Sequence, residues 1–281
     1  MNIDDSALFG AAAAPALQVM SWNVRRRRTL PSARGADRWD TRAPRARSLL
    51  SAERPTLLGA QEARTDQAEF LRSSLGMRYG IVGRGRGTGG SGEGCPILYD
   101  AERLELLDWN QAALSDRPDR PGSVSWGNII PRILVTASFR DRATGQTFLA
   151  LNTHFDHLSG RSRRRSAQAV RGAAADSGLP AVVTGDLNAG PRSAPLRELL
   201  GGDTLTDSWA VAQKHESQEW DTFANYRAPR QHRGRVDWIL VSPAIRVLRA
   251  AINAHQHDDG WASDHLPVQA LISLSGGETS P

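Results

Sequence analysis

Cysteine and lysine are almost missing from this chain of 281 residues: Cys95 and Lys214 are the only ones. A lone cysteine excludes an internal disulfide framework and a zinc site built on several thiolates. Cys95 fits best as a small buried residue at a strand start. Long apolar runs are missing too, which leaves no segment suited to crossing a bilayer. No Gly-Lys-Ser/Thr occurs, so there is no P-loop. The glycine-rich stretch Gly83 to Gly94 contains Gly85-x-Gly87-x-x-Gly90, but a dinucleotide fingerprint needs a helix right after it, and here a strand follows. A flexible loop beside a site is the expectation for it. Where a signal peptide would begin with basic residues, Asp4 and Asp5 stand instead. With no proline- or serine-rich linker, one domain over residues 17–275 is expected. Frayed tails at 1–16 and 276–281, a cytoplasmic location and a monomeric state complete that expectation.

Arginine is what the chain has in quantity. Lys and Arg total 35 against 30 Asp and Glu, for a formal net charge of +5, and arginine supplies every basic residue but Lys214. Its planar fork grips phosphate through paired hydrogen bonds. A chain generally rich in alanine, arginine and glycine would look the same, so position matters more than the total. Two clusters abut candidate chemistry: Arg25 to Arg28 follow Asn23-Val24, and Arg161, Arg163, Arg164 and Arg165 follow a histidine segment.

Strand and helix patterns alternate. Strands are expected at Leu17 to Trp22, Thr56 to Ala60, Pro96 to Tyr99, Leu104 to Trp109, Ile133 to Phe139, Thr147 to Thr153, Pro180 to Thr184, Val236 to Val241, Ile245 to Ile252 and Val268 to Leu274. Helices are expected at Ala43 to Glu53, Asp66 to Leu75, Arg161 to Ala175 and Ala194 to Leu200. The chemically loaded segments fall at or just past strand ends, where α/β scaffolds place functional groups.

Those segments hold what phosphoester cleavage requires: charge to offset the phosphoryl oxygens, a group to orient or deprotonate water, and a stabiliser for the leaving oxygen. Glu62, ending a buried strand, suits a carboxylate ligand for Mg²⁺, a hard ion. Asn23 offers a neutral amide to the same shell. Asp186 and Asn188 follow Val182-Val183-Thr184-Gly185 and can present a base and an amide to one water. The same pair also suits an Asx-turn. His265 is the strongest proton-transfer candidate, with Asp237 as its orienting carboxylate. His154 is a second imidazole at a strand end, for which Glu93 is a candidate orienting group.

Taken in order, Trp22-Asn23-Val24, Gln61-Glu62, Thr153-His154, Gly185-Asp186-x-Asn188, Asp237-Trp238-Ile239 and Ser263-Asp264-His265-Leu266-Pro267-Val268 resemble the core motifs of the endonuclease/exonuclease/phosphatase superfamily over roughly Val19 to Leu274. The resemblance implies a four-layer αββα sandwich of two mixed β-sheets. It implies Mg²⁺ or Mn²⁺ on Glu62, with Asn23 and Asp264 nearby. It implies that Asp186 positions or deprotonates the attacking water, that Asn188 binds the scissile phosphate, and that His265 with Asp237, and His154, contact phosphoryl oxygens. Gly92-Glu93, Thr153-His154-Phe155-Asp156-His157 with Arg163 downstream, and Thr222-Phe223 resemble a bacterial, deadenylase-like branch. There Asp156, His157 and Arg163 are expected on the substrate side, with Arg25 and Glu93. Gly94-Cys95-Pro96 departs from that branch, whose members commonly carry a bulkier residue and asparagine there.

A metal-dependent hydrolase of a nucleotide or nucleic-acid phosphodiester is the leading expectation, since arginines beside the site favour a polyanion. The aromatic group Trp220 to Tyr226 offers a surface for base stacking. A phosphatase of a small phosphorylated metabolite is the alternative. An inactive binding module is a minor one, because such modules lose the metal carboxylate or the terminal histidine, and both are present.

Overall fold

The computed structural model describes residues 7–28, 35–231 and 234–274. In chain order the elements are β1 (Leu17–Asn23), α1 (Trp39–Glu53), β2 (Leu57–Gln61), α2 (Thr65–Leu75), β3 (Tyr79–Val82), β4 (Ile97–Asp100), β5 (Leu104–Ala113), β6 (Ile133–Asp141) and β7 (Thr147–His154). They continue with α3 (Gly160–Asp176), β8 (Ala181–Asp186), α4 (Ala194–Leu199), β9 (Thr206–Asp207), α5 (Ser208–Val211), β10 (Lys214–His215), β11 (Asp237–Val241), β12 (Arg246–Ile252) and β13 (Val268–Ser273). One sheet runs β10-β12-β13-β1-β2-β4-β3 and the other β5-β6-β7-β8-β11-β9. Both are mixed: β1 and β2 are parallel, as are β7 and β8, and most other pairs are antiparallel.

Strand alternation creates three apolar layers. In β1, Leu17 and Val19 enter the core between the sheets with Ile97, Val135, Phe139, Val182 and Ile239. Met20 and Trp22, on the opposite face, pack with Leu49 and Leu50 of α1 and Leu71 of α2. Val183 and Leu240 point away from the inter-sheet core to meet Val170 of α3 and Leu196 of α4. The layers are therefore helix, sheet, sheet, helix, as the resemblance implied. At one point the sheets approach so closely that only glycine fits: a Cβ on Gly59 would lie 2.0 Å from the Thr184 hydroxyl.

Several expected boundaries move. Helix α1 begins at Trp39 rather than Ala43, with Pro44 inside it. The Arg38 carbonyl accepts from Thr41 and Arg42, so the first turn closes ahead of the proline. Strand β3 has no counterpart in the sequence reading; Gly80 interrupts its apolar pattern, and the Tyr99 ring fills the space a side chain there would take. The amino-terminal segment, expected to fray through residue 16, is anchored from Leu8. Main-chain N–H groups of Leu8, Phe9 and Gly10 donate to Glu53, which also accepts from Gln18, Asn253 and Gln269. Residues 1–6 and the expected tail 276–281 lie outside the described residues. No helix among the described residues is long and apolar enough to cross a membrane.

Candidate active site

Parallel strands ending and antiparallel strands beginning at the same edge bring the chemistry together. Asn23 ends β1 beside Gln61 at the end of β2. Across the sandwich, His154 ends β7 opposite Asp186 at the end of β8, and Asp186 pairs in turn with Asp237 at the start of β11. His265 lies three residues ahead of β13, tied by a bridge to Phe223. Beneath them the sheets are joined by a buried polar layer. Gln61 Nε2 donates to Asn152 Oδ1 at 2.7 Å, Thr184 donates to the same oxygen at 3.1 Å, and Asn152 donates to the Ala60 and Pro96 carbonyls. These bonds run through fully buried side chains and tie the two sheets together beneath the site.

Asp186 is the hub. Its Oδ1 accepts from the Asn188 main-chain N–H at 2.9 Å, and its Oδ2 accepts from Asn23 Nδ2 at 2.9 Å. The same Oδ2 is 3.5 Å from His154 Nε2 and 3.8 Å from His265 Nε2. Burial, with the Asp237 charge close by, pushes its carboxyl well above the usual carboxylate range. His265 Nδ1 lies 2.8 Å from Asp237 Oδ2. Burial opposes its protonation, yet Asp237, Asp186 and Asp264 together raise its pKa above the ordinary imidazole value. His154 goes the other way: burial, with Arg132 and Arg86 nearby, holds it well below its ordinary value. A neutral His154 can accept at Nε2 from Asn188 Nδ2, 3.0 Å away, while Asn188 also donates to the Phe155 carbonyl.

Beside Asp186 lies a set of oxygen donors. Asn23 Nδ2 donates to Glu62 at 3.2 Å as well as to Asp186. Glu62 also accepts from the Arg26 main-chain N–H. These contacts keep its pKa below the ordinary value against the effect of burial. Burial and the neighbouring Glu62 raise the pKa of Asp264, which accepts from the Ser263 hydroxyl. The Arg25 guanidinium reaches both, 3.5 Å from Asp264 and 3.9 Å from Glu62. Arg25, Glu62 and Asn188 all have positive φ, at 54°, 58° and 46°. Such backbone is costly for these residues and clusters at functional sites.

These groups open onto a cleft of about 530 Å³ lined also by Arg26, Arg86, Arg132, His157 and Phe223. Arg26 belongs to the arginine cluster expected beside the site, whereas Arg86, Arg132 and Ile130 were not singled out in the sequence. Arg86 and Arg132 are scattered among many arginines, and only folding of the glycine-rich loop and of β6 carries them here. Cys95 is buried, with its thiol pushed up to about 12.

Three expected assignments meet a different geometry. Glu93 does not reach for His154; it accepts from Arg26 and pairs with Arg86 at 2.7 Å. Asp156 faces inward, accepting from the Leu158 and Ser159 main chain and pairing with Arg132 at 3.4 Å. Arg163 folds back onto the Asp156 carbonyl at 2.8 Å. Both serve the turn entering α3 and neither lines the cleft, whereas His157, Arg25 and Glu93 do. Of the aromatic group, Phe223 reaches the cleft, 51% exposed, with its ring 5.0 Å from that of His265. Tyr226 instead donates to Asp37.

Comparisons with known proteins agree with this fold. An endonuclease/exonuclease/phosphatase family protein of Bacteroides thetaiotaomicron superposes with a TM-score of 0.87 at 27% identity, over 94% of this chain and 98% of that one. A mannosyl-6-phosphatase of the same organism gives 0.85 at 28% identity, over 91% and 99%. Protein angel of Drosophila melanogaster is 28% identical over 213 residues, 72% of this chain; the match spans 57% of that relative's length. The Endonuclease/Exonuclease/phosphatase family profile matches residues 20–265. The chain therefore belongs to the endonuclease/exonuclease/phosphatase family of phosphoester hydrolases.

Proposed function

We propose that this protein is a divalent-metal-dependent phosphatase of small phosphorylated molecules of sugar or nucleotide size. The observation that carries this reading is the convergence of His265–Asp237, His154 and Asp186 on one cleft, beside Glu62, Asp264 and Asn23. That second set offers only oxygen ligands, two of them from carboxylates, which suits a hard cation such as Mg²⁺ or Mn²⁺. Glu62 and Asp264 would hold the ion, with the Asn23 amide fixing Glu62. A bound cation would supply charge to offset the phosphoryl oxygens. Asp186, Asp237 and His265 also bring ligand atoms within 4.8 Å of one another. Metal binding there would sacrifice the His265–Asp237 hydrogen bond, so we assign that group to proton handling.

In this reading Asp186 orients a water and takes its proton, its raised pKa making it a better base than an ordinary aspartate. Protonated His265, held by Asp237, donates from Nε2 to a phosphoryl or leaving oxygen. Asn188 uses its amide on the same group. Arg26 and Arg86, steadied by Glu93, face the substrate's charge.

Size supports a small substrate. The cleft holds about 530 Å³, the range of small-molecule pockets. The arginine run of α3 does not extend it into a polyanion track. Arg164 faces Glu198, and Arg165 lies over Trp126 near Asp116. The 28% identical mannosyl-6-phosphatase adds support for a sugar phosphate. A second reading, a nucleotide or the end of a single strand, is favoured by exposed Phe223, a ring on which a base can stack.

A substrate panel tests this. Sugar phosphates, nucleoside monophosphates, a bis-ester, single-stranded RNA and DNA, and duplex DNA are assayed with Mg²⁺, with Mn²⁺ and with EDTA. Phosphate release from small monoesters, abolished by EDTA, is the expected result. Turnover confined to nucleic-acid diesters would overturn the substrate assignment, and turnover of nothing would overturn the whole reading.

A further inference from the structure

Arg25 sits where a side chain meant only to hold substrate would not need to be. Its main chain is locked in left-handed geometry, φ 54°. The N–H donates to Asn23 Oδ1 at 2.9 Å and the carbonyl accepts from Gln67 Nε2 at 3.0 Å. So anchored, its guanidinium lies among three carboxylates. Nε donates to Asp37 Oδ1 at 3.2 Å and is 3.5 Å from Asp264 Oδ2, while Nη1 is 3.9 Å from Glu62 Oε2. The side chain is 26% exposed, that of Asp264 6% and that of Glu62 15%, so solvent screens these charges only partly. The one hydrogen bond goes to Asp37, which is itself fixed by the Tyr226 hydroxyl at 2.9 Å. Toward Glu62 and Asp264 the contact is one of charge.

We propose that Arg25 is a built-in counter-cation for Glu62 and Asp264: it keeps the two carboxylates together in the metal-free protein, and its grip on Asp37 sets how tightly a divalent cation binds between them. The inference rests on Glu62 and Asp264 being the divalent-cation ligands, as proposed above. Two facing buried carboxylates repel unless a positive charge neutralises them. Beside the charge of His265, a guanidinium leaning on Asp37 supplies positive charge to both carboxylates without occupying either through a hydrogen bond. When a cation arrives, Asp37 retains the arginine. The remaining positive charge still opposes the incoming ion, so affinity is lower than the bare carboxylates would give. Arg25 is a positioning residue in this account, not a catalytic one.

The test is a double-mutant cycle read by binding rather than turnover. Dissociation constants for MgCl₂ and MnCl₂ are measured by calorimetry and by thermal-shift titration for wild type, Arg25→Gln, Arg25→Lys, Asp37→Asn and Arg25→Gln/Asp37→Asn. Arg25→Gln is expected to melt lower than wild type without metal and to bind Mg²⁺ on the order of tenfold more tightly. Arg25→Lys, which keeps the charge, is expected to bind near the wild-type value. Asp37→Asn, which releases the guanidinium toward Glu62 and Asp264, is expected to weaken binding, and to do so much less when Arg25 is already glutamine. If wild type binds Mg²⁺ and Arg25→Gln binds it no more tightly, the inference is overturned and Arg25 is left as a substrate contact. If wild type binds neither cation, the metal reading itself falls, and this inference with it.

Discussion

His265 and Asp237 meet through Nδ1 and Oδ2 at 2.8 Å, with Asp237 fully buried. The pair joins the start of β11 to the segment before β13 in the other sheet, and a third segment holds the two: the Thr222 hydroxyl accepts from the Val236 and Asp237 main chain, and the Thr222 carbonyl accepts from Leu266. Asp237 thereby fixes the imidazole ring and, through its charge, raises the pKa of both His265 and Asp186.

The pH–rate profile should follow from those shifts. In the proposed reading Asp186 acts ionised and His265 protonated, so the rate rises with pH through the raised Asp186 pKa and falls through the raised His265 pKa. Removing the Asp237 charge lowers both. Asp237→Asn is therefore expected to slide both limbs of the bell toward acid and to lower kcat. Profiles of kcat and kcat/KM for wild type and variant check this; limbs that stay in place would show that Asp237 acts only as a spacer.

Asp186→Asn keeps the shape of the hub but removes its basicity. Turnover is expected to fall on the order of 10²-fold or more, with circular dichroism and melting temperature close to wild type. The one amide oxygen can keep the Asn188 main-chain N–H, while Asn23 Nδ2 loses its bond to residue 186 and keeps Glu62. A variant retaining near-full kcat would move the base elsewhere.

Glu53 makes a stability prediction separate from catalysis. Its carboxylate accepts from three main-chain N–H groups and three side-chain amides. Glu53→Ala strands those donors, and each unsatisfied buried group costs about 1–3 kcal/mol. Urea unfolding is expected to show a loss of about 3 kcal/mol or more. Limited proteolysis is expected to cut near Ala11 to Ala14 once Leu8 to Gly10 are released.

Phe223→Ala separates the two substrate readings. A base resting on the phenyl group loses about 1–3 kcal/mol of stacking, so on the nucleotide reading KM for nucleoside phosphates rises about tenfold, whereas on the sugar-phosphate reading KM for sugar phosphates changes little. A simple alkyl phosphate should be little affected. Equal losses for nucleoside and alkyl phosphates would assign Phe223 to packing His265 instead.

The motifs stood out in the sequence because particular polar side chains flank apolar strands there, and short stretches of chain fix them. The Gly-Asp-x-Asn turn, Gln61-Glu62 after an apolar strand and the Asp264-His265 pair before another each carry their local geometry with them. Period-2 alternation in β1 likewise set which residues face each neighbouring layer, and so the layered fold. Long-range contact decided the rest. Asp156 and Arg163 look like substrate residues in a linear motif, but the turn into α3 needs them for its own hydrogen bonds. Glu93 meets two arginines before it can meet His154. Arg42 is wholly buried, donating to carbonyls of Val24, Asp37 and Ala262, which no periodicity would disclose in so arginine-rich a chain.

By itself, the sequence determined which candidate groups stand at strand ends and the α/β layering, because both depend on side-chain type and local spacing. Only the tertiary structure decided which arginines face the cleft, which carboxylates share a charge and which histidine stays neutral. Those outcomes depend on distances and burial between segments far apart in the chain: Arg25 among Asp37, Glu62 and Asp264, and His154 beside Arg86 and Arg132. Electrostatic energy varies with separation and solvent access in space, and sequence spacing encodes neither.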